Sequence, residues 1–299
     1  STTRPRRSAR LYQSVWTAEG APLVVNTRRQ AAGLATRLAG QGVAVAFAMS
    51  YGAPSLAEGF AQLAGCERVL VLPMFPQHSA STQGAVFDAL AAALRPAMRL
   101  PTLHFVADFH DHPGYIDALA ASVRAHWAAH GRGDRLLMSF HGLPQRNVDS
   151  GDPYAGQCAR TARLLADALD LKDDQWQLAY QSRFGKARWL EPATDATLRA
   201  WGAQGLARVD VICPGFVADC LETLEEIAIG GRRIFQAAGG GQFQYIASLN
   251  DSPALAMRRS CARWRPVTRR YPPRLACIRI TSTMRSRTSP GWPVWRPIR

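Results

Sequence analysis

His141 sits in SFHGLPQR (139–146), immediately after the apolar run RLLMSF, and is equipped for chemistry. An imidazole held in a stiff Gly-x-Pro turn can take a proton near neutral pH or bind a borderline metal ion. A strand-end histidine can equally be a structural core residue. DCLETLEE (219–226) offers the second set. On a helix Asp219, Glu222 and Glu226 fall at i, i+3 and i+7, three carboxylates on one face, with Glu225 turned elsewhere. Such a row can hold a cation or pass protons to water. Asp-x-x-Glu is also a capping box, which explains Asp219 and Glu222 but not Glu226.

Weaker signals surround these. PQHSAST (76–82) places Ser79 at a helix start, suited to an anion or to N-capping alone. Arg183, beside Ser182 in QSRFG, can pair with an anionic ligand or with a surface acid. His110-x-His112 has metal-pair spacing, but Pro113 makes it read as an exposed helix-entry loop. The glycines at 239–241 come before a strand, the wrong order for a dinucleotide loop, and read as a turn.

These residues need a scaffold, and the hydrophobic pattern describes one. Strands are expected at 43–48, 68–73, 102–107, 135–140, 175–181, 207–213 and 243–247, several almost continuously apolar, as in VAVAFAM and RLLMSF. Strands covered on both faces read this way. Helices are expected at 54–63, 81–94, 114–129, 155–169, 195–204 and 219–236. Repeated βα units imply open parallel sheets, which bind ligands at the carboxyl ends of their strands. The polar segments at 73–79, 110–112, 139–144, 181–185 and 213–216 fall at those ends and are expected to converge on one cleft. The fold class is α/β, in two Rossmann-like lobes: 1–130, 131–254, then a tail at 255–299.

The net charge of +14 raises nucleic-acid binding, so its location matters. Twelve of the 36 basic residues are arginines within 252–299, where no acid occurs; residues 1–251 hold the other 24 against 22 acids. The body is nearly balanced and carries no nucleic-acid signature. The tail has six prolines between Pro266 and Pro297, and the arginine run opposes compaction. It is expected to be disordered, as an RNA- or membrane-binding arm, or to be read out of frame. The low lysine count (Lys172 and Lys186 only) points to a GC-rich gene and favours the frame reading. No apolar run is long enough for a membrane span and no signal peptide opens the chain, so the cytoplasm is the expected compartment. Oligomeric state leaves no mark.

Taken together, VLPMFPQHSASTQGAVFD (71–88), SFHGLPQR, YQSRFGKARWLEP (180–192) and CPGFVADCLETLEEI (213–227) resemble the ferrochelatases, as does LYQSVWTAEGAPLVVNTRRQ (11–30). The resemblance covers about residues 10–250, with the motifs in family order. It implies a porphyrin cleft between the lobes and insertion of Fe2+ into protoporphyrin IX, the last step of haem biosynthesis. His141 and Glu222 match the metal- and proton-handling residues, and Asp219 and Glu226 continue an acidic path. Ser79, Arg183 or an N-terminal arginine are expected near the propionates, and Ser182 among the substrate-binding residues. Fe2+ is a substrate and no cofactor is required. Cys158, Cys213 and Cys220 raise a 2Fe–2S cluster, but such sites usually need four thiolates and no fourth is evident. Peripheral membrane contact is compatible with this reading. The alternatives are a cobalt or sirohydrochlorin chelatase and an inactive porphyrin-binding remnant.

Two departures stand out. The family's opening strand has no counterpart before the segment at 10–30, and its closing helix is replaced by the arginine tail. A gap in the first sheet would forfeit about 1.5–3 kcal/mol per large side chain, against a typical net stability of about 5–15 kcal/mol. An unstable or inactive product is therefore expected.

Overall fold

The computed structural model describes residues 15–252 and 275–281. The opening arginines and most of the tail, with its prolines, tryptophans and Cys261, lie outside the described residues. The first lobe contains α1 (Pro22–Arg37), β1 (Val43–Met49), α2 (Leu56–Ala61), β2 (Arg68–Pro73), a π-helical turn (Ala80–Gly84) running into α3 (Ala85–Leu94), and β3 (Thr102–Phe105). The long α4 (Pro113–His130) leads to β4 (Arg135–His141), α5 (Gln145–Asp149), α6 (Tyr154–Ala168), β5 (Trp176–Gln181), α7 (Thr194–Ala203) and β6 (Arg208–Ile212). A π-helix (Glu222–Gly231) then passes into α8 (Arg232–Ala237) and β7 (Gln242–Ile246); β8 (Leu275–Thr281) comes last.

Two parallel four-stranded sheets result, ordered β1-β8-β2-β3 and β5-β4-β6-β7. Helices interleave with the strands, giving the two Rossmann-like lobes that the apolar runs imply. The seven expected strands all form, with ends shifted by a residue or two. His141 belongs to β4 as its last residue rather than following it. The helical pattern did not register α1, because two of its five buried positions are polar: Thr27 and Gln30 accompany Pro22, Val25 and Ala31.

The larger difference is β8. Residues 275–281 lie in the segment expected to be a structureless tail, yet they form a strand inside the first sheet, where a gap was expected. The strand pairs in parallel with β1 and β2, Leu275 registering with Val43 and Arg68. Ala276, Cys277, Ile278 and Ile280 are buried, as parallel strands covered on both faces require. Arg279 interrupts the apolar run and hides it among the surrounding arginines. It too is buried, its Nε 3.2 Å from Met74 Sδ and its Nη1 donating to the Gln30 carbonyl. At its end β8 anchors two loops, accepting from Met74 N through Ile280 O (2.7 Å) and from Ser50 N through Thr281 O (2.9 Å).

One hydrophobic cluster crosses the lobe boundary, joining Leu72 and Met74 to Phe109, Tyr115, Phe140, Tyr154 and Ile246. Polar contacts fix the seam. Gln30 Nε2 donates to Asn250 O (2.7 Å), Gln77 Nε2 to Thr161 Oγ1 (3.0 Å) and Tyr115 OH to Pro214 O (2.6 Å). No described helix is long and apolar enough to cross a membrane.

The account of β8 is testable by Ile278→Ala. Ile278 is fully buried, and Gly59 of α2 packs so closely that a Cβ there would lie 2.9 Å from its Cδ1. Urea denaturation should show a loss of about 2–5 kcal/mol. A loss within the ±0.5 kcal/mol or so expected of a surface substitution would contradict a central β8.

Candidate active site

The strand ends of the second sheet carry the site. His141 and Gln181 are the last residues of β4 and β5 and stand opposite each other in register. Gly142 follows with no room to spare: its N–H donates to Gln181 O at 2.7 Å, and a Cβ on it would lie 2.6 Å from the same oxygen. This close approach is why glycine follows the histidine. His141 is buried, with Nδ1 2.7 Å from Gly142 O and its ring centroid 6.3 Å from that of Phe216. A carbonyl only accepts, so Nδ1 carries a proton. In the neutral ring, Nε2 then presents its lone pair.

The acidic segment is a π-helix from Glu222 rather than an α-helix from Asp219, and the three carboxylates have different fates. Asp219 precedes the helix and is buried in a complete network. Its Oδ1 accepts from Tyr245 OH (2.6 Å), Thr223 Oγ1 (3.0 Å) and Ser248 N (3.3 Å), and its Oδ2 from Asn250 Nδ2 (2.8 Å). Glu222 lines the seam between the lobes with Gln30, Met74, Phe216, Cys220 and Thr281. Its Oε2 is buried and has no hydrogen-bond partner, and the carboxylate sits beside the Cys220 thiol, which it helps to push up. Glu226 lies on the second-lobe side, gripped by Ser182 N at 2.6 Å and Ser182 Oγ at 2.5 Å. Burial pushes the Glu226 carboxyl above the usual range, while the Ser182 hydrogen bonds and the nearby His141 pull it back and Glu222 adds to the rise.

Gln181 ties this group together. Its Nε2 donates to Glu222 O (2.8 Å) and reaches Glu226 Oε2 (3.4 Å), and its Oε1 accepts from Ser139 Oγ (2.8 Å). His141, Glu222 and Glu226 are thus brought to one place. Ser182 joins them through its hydrogen bonds to Glu226. The sequence reading did not single out Gln181. Its signal was a polar residue ending the run WQLAYQ beside the strand that carries the histidine.

Two other expected residues lie apart. Ser79 is buried and its hydroxyl donates to Asp152 Oδ2 at 2.8 Å while accepting from Ser81 N. Arg183 pairs with Asp195 at 2.9 Å on the wall of the second-lobe cleft, its stem packed near Gly142. His112 caps α4 by accepting from Gly114 N, as the helix-entry reading expects. Asp108, His110 and Asp111 also bring ligand-type atoms within 4.8 Å of one another, with Asp108 and His110 already paired. Cys158, Cys213 and Cys220 are buried, and burial pushes all three thiols up.

Two cavities flank the π-helix. A cleft of about 490 Å³ in the second lobe has Glu226, Ser182, Arg183, Trp189 and Asp195 on its walls. A pocket of about 320 Å³ between the lobes is lined by Leu23, Val24, Met49, Tyr51, Cys220 and Leu221. Both fall in the size range of small-molecule sites, and the interlobe pocket has mainly apolar walls. Glu222 adjoins the interlobe side and Glu226 the second-lobe cleft.

Asp219 and Glu222 should separate experimentally. Asp219→Ala leaves several buried donors unpaired and should lower stability by about 3–5 kcal/mol. Glu222→Gln removes a charge whose one oxygen has no partner, and should change stability by less than about 1 kcal/mol. Equal losses in chemical denaturation would contradict the assignment of Asp219 as the structural acid.

The family model described as Ferrochelatase matches residues 1–257. Among curated proteins the chain is 56% identical to the ferrochelatase of Thioalkalivibrio sulfidiphilus, over 84% of this chain and 69% of that one. It is 57% identical to that of an Azoarcus species, over 84% and 70%, and 52% identical to that of Aeromonas hydrophila, over 84% and 79%. Among solved structures, SirB from Bacillus subtilis with Fe3+ aligns with a TM-score of 0.54 at 12% identity. The alignment covers 79% of this chain and 87% of SirB, a likeness of fold alone.

Proposed function

The chain belongs to the ferrochelatase family, and we propose that it inserts Fe2+ into protoporphyrin IX between its two lobes, as a metal-inserting lyase of haem biosynthesis. The observation that carries this reading is the convergence of a buried imidazole, one carboxylate with an unpartnered oxygen at the seam between the lobes, and a second carboxylate, raised by burial, on the wall of the second-lobe cleft.

Metallation removes two pyrrole protons and places a desolvated divalent ion in a rigid ring. His141 Nε2 accepts a proton or ligates the ion, and Glu222 Oε2 supplies the anionic partner. Glu226, protonated more readily than an exposed glutamate, passes protons towards the second-lobe cleft. Binding energy from the apolar walls strains the macrocycle and exposes its nitrogen lone pairs. Asp219 supports the start of the π-helix through its hydrogen bonds and does not relay protons. Of the expected propionate contacts Arg183 is the best suited, because its half-exposed pair with Asp195 can exchange for a ligand carboxylate.

No cofactor enters this scheme, and Fe2+ is consumed as substrate. The raised cysteine thiols suit buried small hydrophobes better than cluster ligands. The near-balanced charge of residues 1–251 supports small-molecule partners rather than nucleic acid. A cytoplasmic enzyme with peripheral membrane contact is compatible with this reading.

Anaerobic assays with Fe2+ or Zn2+ test the reading. Protoporphyrin should be metallated and sirohydrochlorin should not. His141→Ala and Glu222→Gln should each lower kcat by roughly 10²-fold or more while porphyrin still binds, as read by fluorescence quenching. A wild-type chain that binds porphyrin and never metallates it, or that prefers sirohydrochlorin, would overturn it.

A further inference from the structure

Gln181, the last residue of β5, and Ser182, the residue after it, make two adjacent grips on one short helix. Gln181 Nε2 donates to the backbone carbonyl of Glu222, the first residue of the π-helix. Ser182 uses both its backbone N–H and its hydroxyl on the two oxygens of Glu226, one turn on. Ser182 does this with φ of 61°, a left-handed conformation that a serine seldom adopts. Gln181 is buried and its amide orientation is determined. Its Oε1 faces Ser139 Oγ, itself bonded to Thr194 Oγ1 at 2.7 Å, while its Nε2 faces a carbonyl and a carboxylate, which only accept.

From these contacts we infer that Gln181 and Ser182 are positioning residues for metal insertion, a clamp that holds Glu222 towards the interlobe pocket and Glu226 towards the second-lobe cleft. The inference rests on the insertion reading, in which both glutamates act. Its physical basis is that π-helical turns are rare and appear mostly where function requires them. Releasing the Glu222 carbonyl lets the first turn tighten, which rotates Glu226 relative to Glu222. Ser182 accepts backbone strain in order to present two donors to a single carboxylate. This reassigns Ser182, expected among the substrate-binding residues, from substrate to protein.

Four variants test the clamp, each read by kcat, porphyrin KM and thermal midpoint. Ser182→Ala keeps the strained backbone and loses the hydroxyl, whereas Ser182→Gly loses the hydroxyl and relaxes the backbone. The clamp predicts that kcat falls by roughly 10²-fold in both with porphyrin KM little changed. The glycine variant should nevertheless melt about 2–4 °C above the alanine variant. Activity then follows the donor and stability follows the backbone. Gln181→Met, which keeps the volume and loses the donor, should lower kcat likewise. Ser182→Thr, which keeps the hydroxyl, should recover much of the rate despite a worse backbone fit.

Wild-type kcat in Ser182→Gly and Gln181→Met would overturn the clamp, and so would kcat that rises with the melting point from alanine to glycine. Glu222→Gln and Glu226→Gln keep the two failures apart. Loss of insertion in these with normal clamp variants sinks the clamp alone. Full insertion in these overturns the clamp together with the reading beneath it.

Discussion

Glu226 is a carboxylate largely withdrawn from water, and the donors it needs come from the end of one strand. Ser182 supplies two of them. That single attachment obliges the acidic helix to lie against the carboxyl end of the second sheet, next to His141. A buried carboxylate without donors would be expensive and would take up a proton instead. The helix meets the requirement in a π form that sends Glu222 towards the other lobe. An imidazole and two acids of distinct environment are thereby assembled on one strand end and one helix.

The first lobe contributes the opposite wall. Its sheet closes around β8, whose final carbonyls hold Ser50 and the segment starting at Met74. Those loops and α1 line the interlobe pockets, so the strand that completes the first sheet also shapes the cleft. Structural and chemical demands on the acids are met by different residues. Asp219 takes four hydrogen bonds and locks the turn before the helix, while Glu222 keeps one oxygen without a partner. In sequence the three acids look equivalent; burial and partners distinguish them.

Much of this was legible in the chain. Short apolar runs between amphipathic stretches marked the strands, RLLMSF most plainly in the second sheet, and the polar segments after them marked its working edge, including His141. Glu222 and Glu226 were legible as neighbours because i and i+4 share a side in either helix type. The π form was not legible, since its departure from the α period over ten residues is small. Nor was the role of Asp219, whose partners Tyr245 and Asn250 lie 26 and 31 residues away. β8 escaped notice because one arginine splits its apolar run within a segment dominated by arginine. Ser79 and Ser182 were recognised as polar residues at element ends, but what each bonds to depends on tertiary contacts with Asp152 and Glu226.

The most direct test of the account is X-ray absorption at the zinc edge of the porphyrin-free chain loaded with Zn2+. The account predicts imidazole nitrogen and carboxylate oxygen donors at about 2.0–2.2 Å, with the imidazole signature lost in His141→Ala. Sulfur at about 2.3 Å, which would assign the ion to Cys213 or Cys220, or a spectrum unaltered by the histidine substitution, would contradict it.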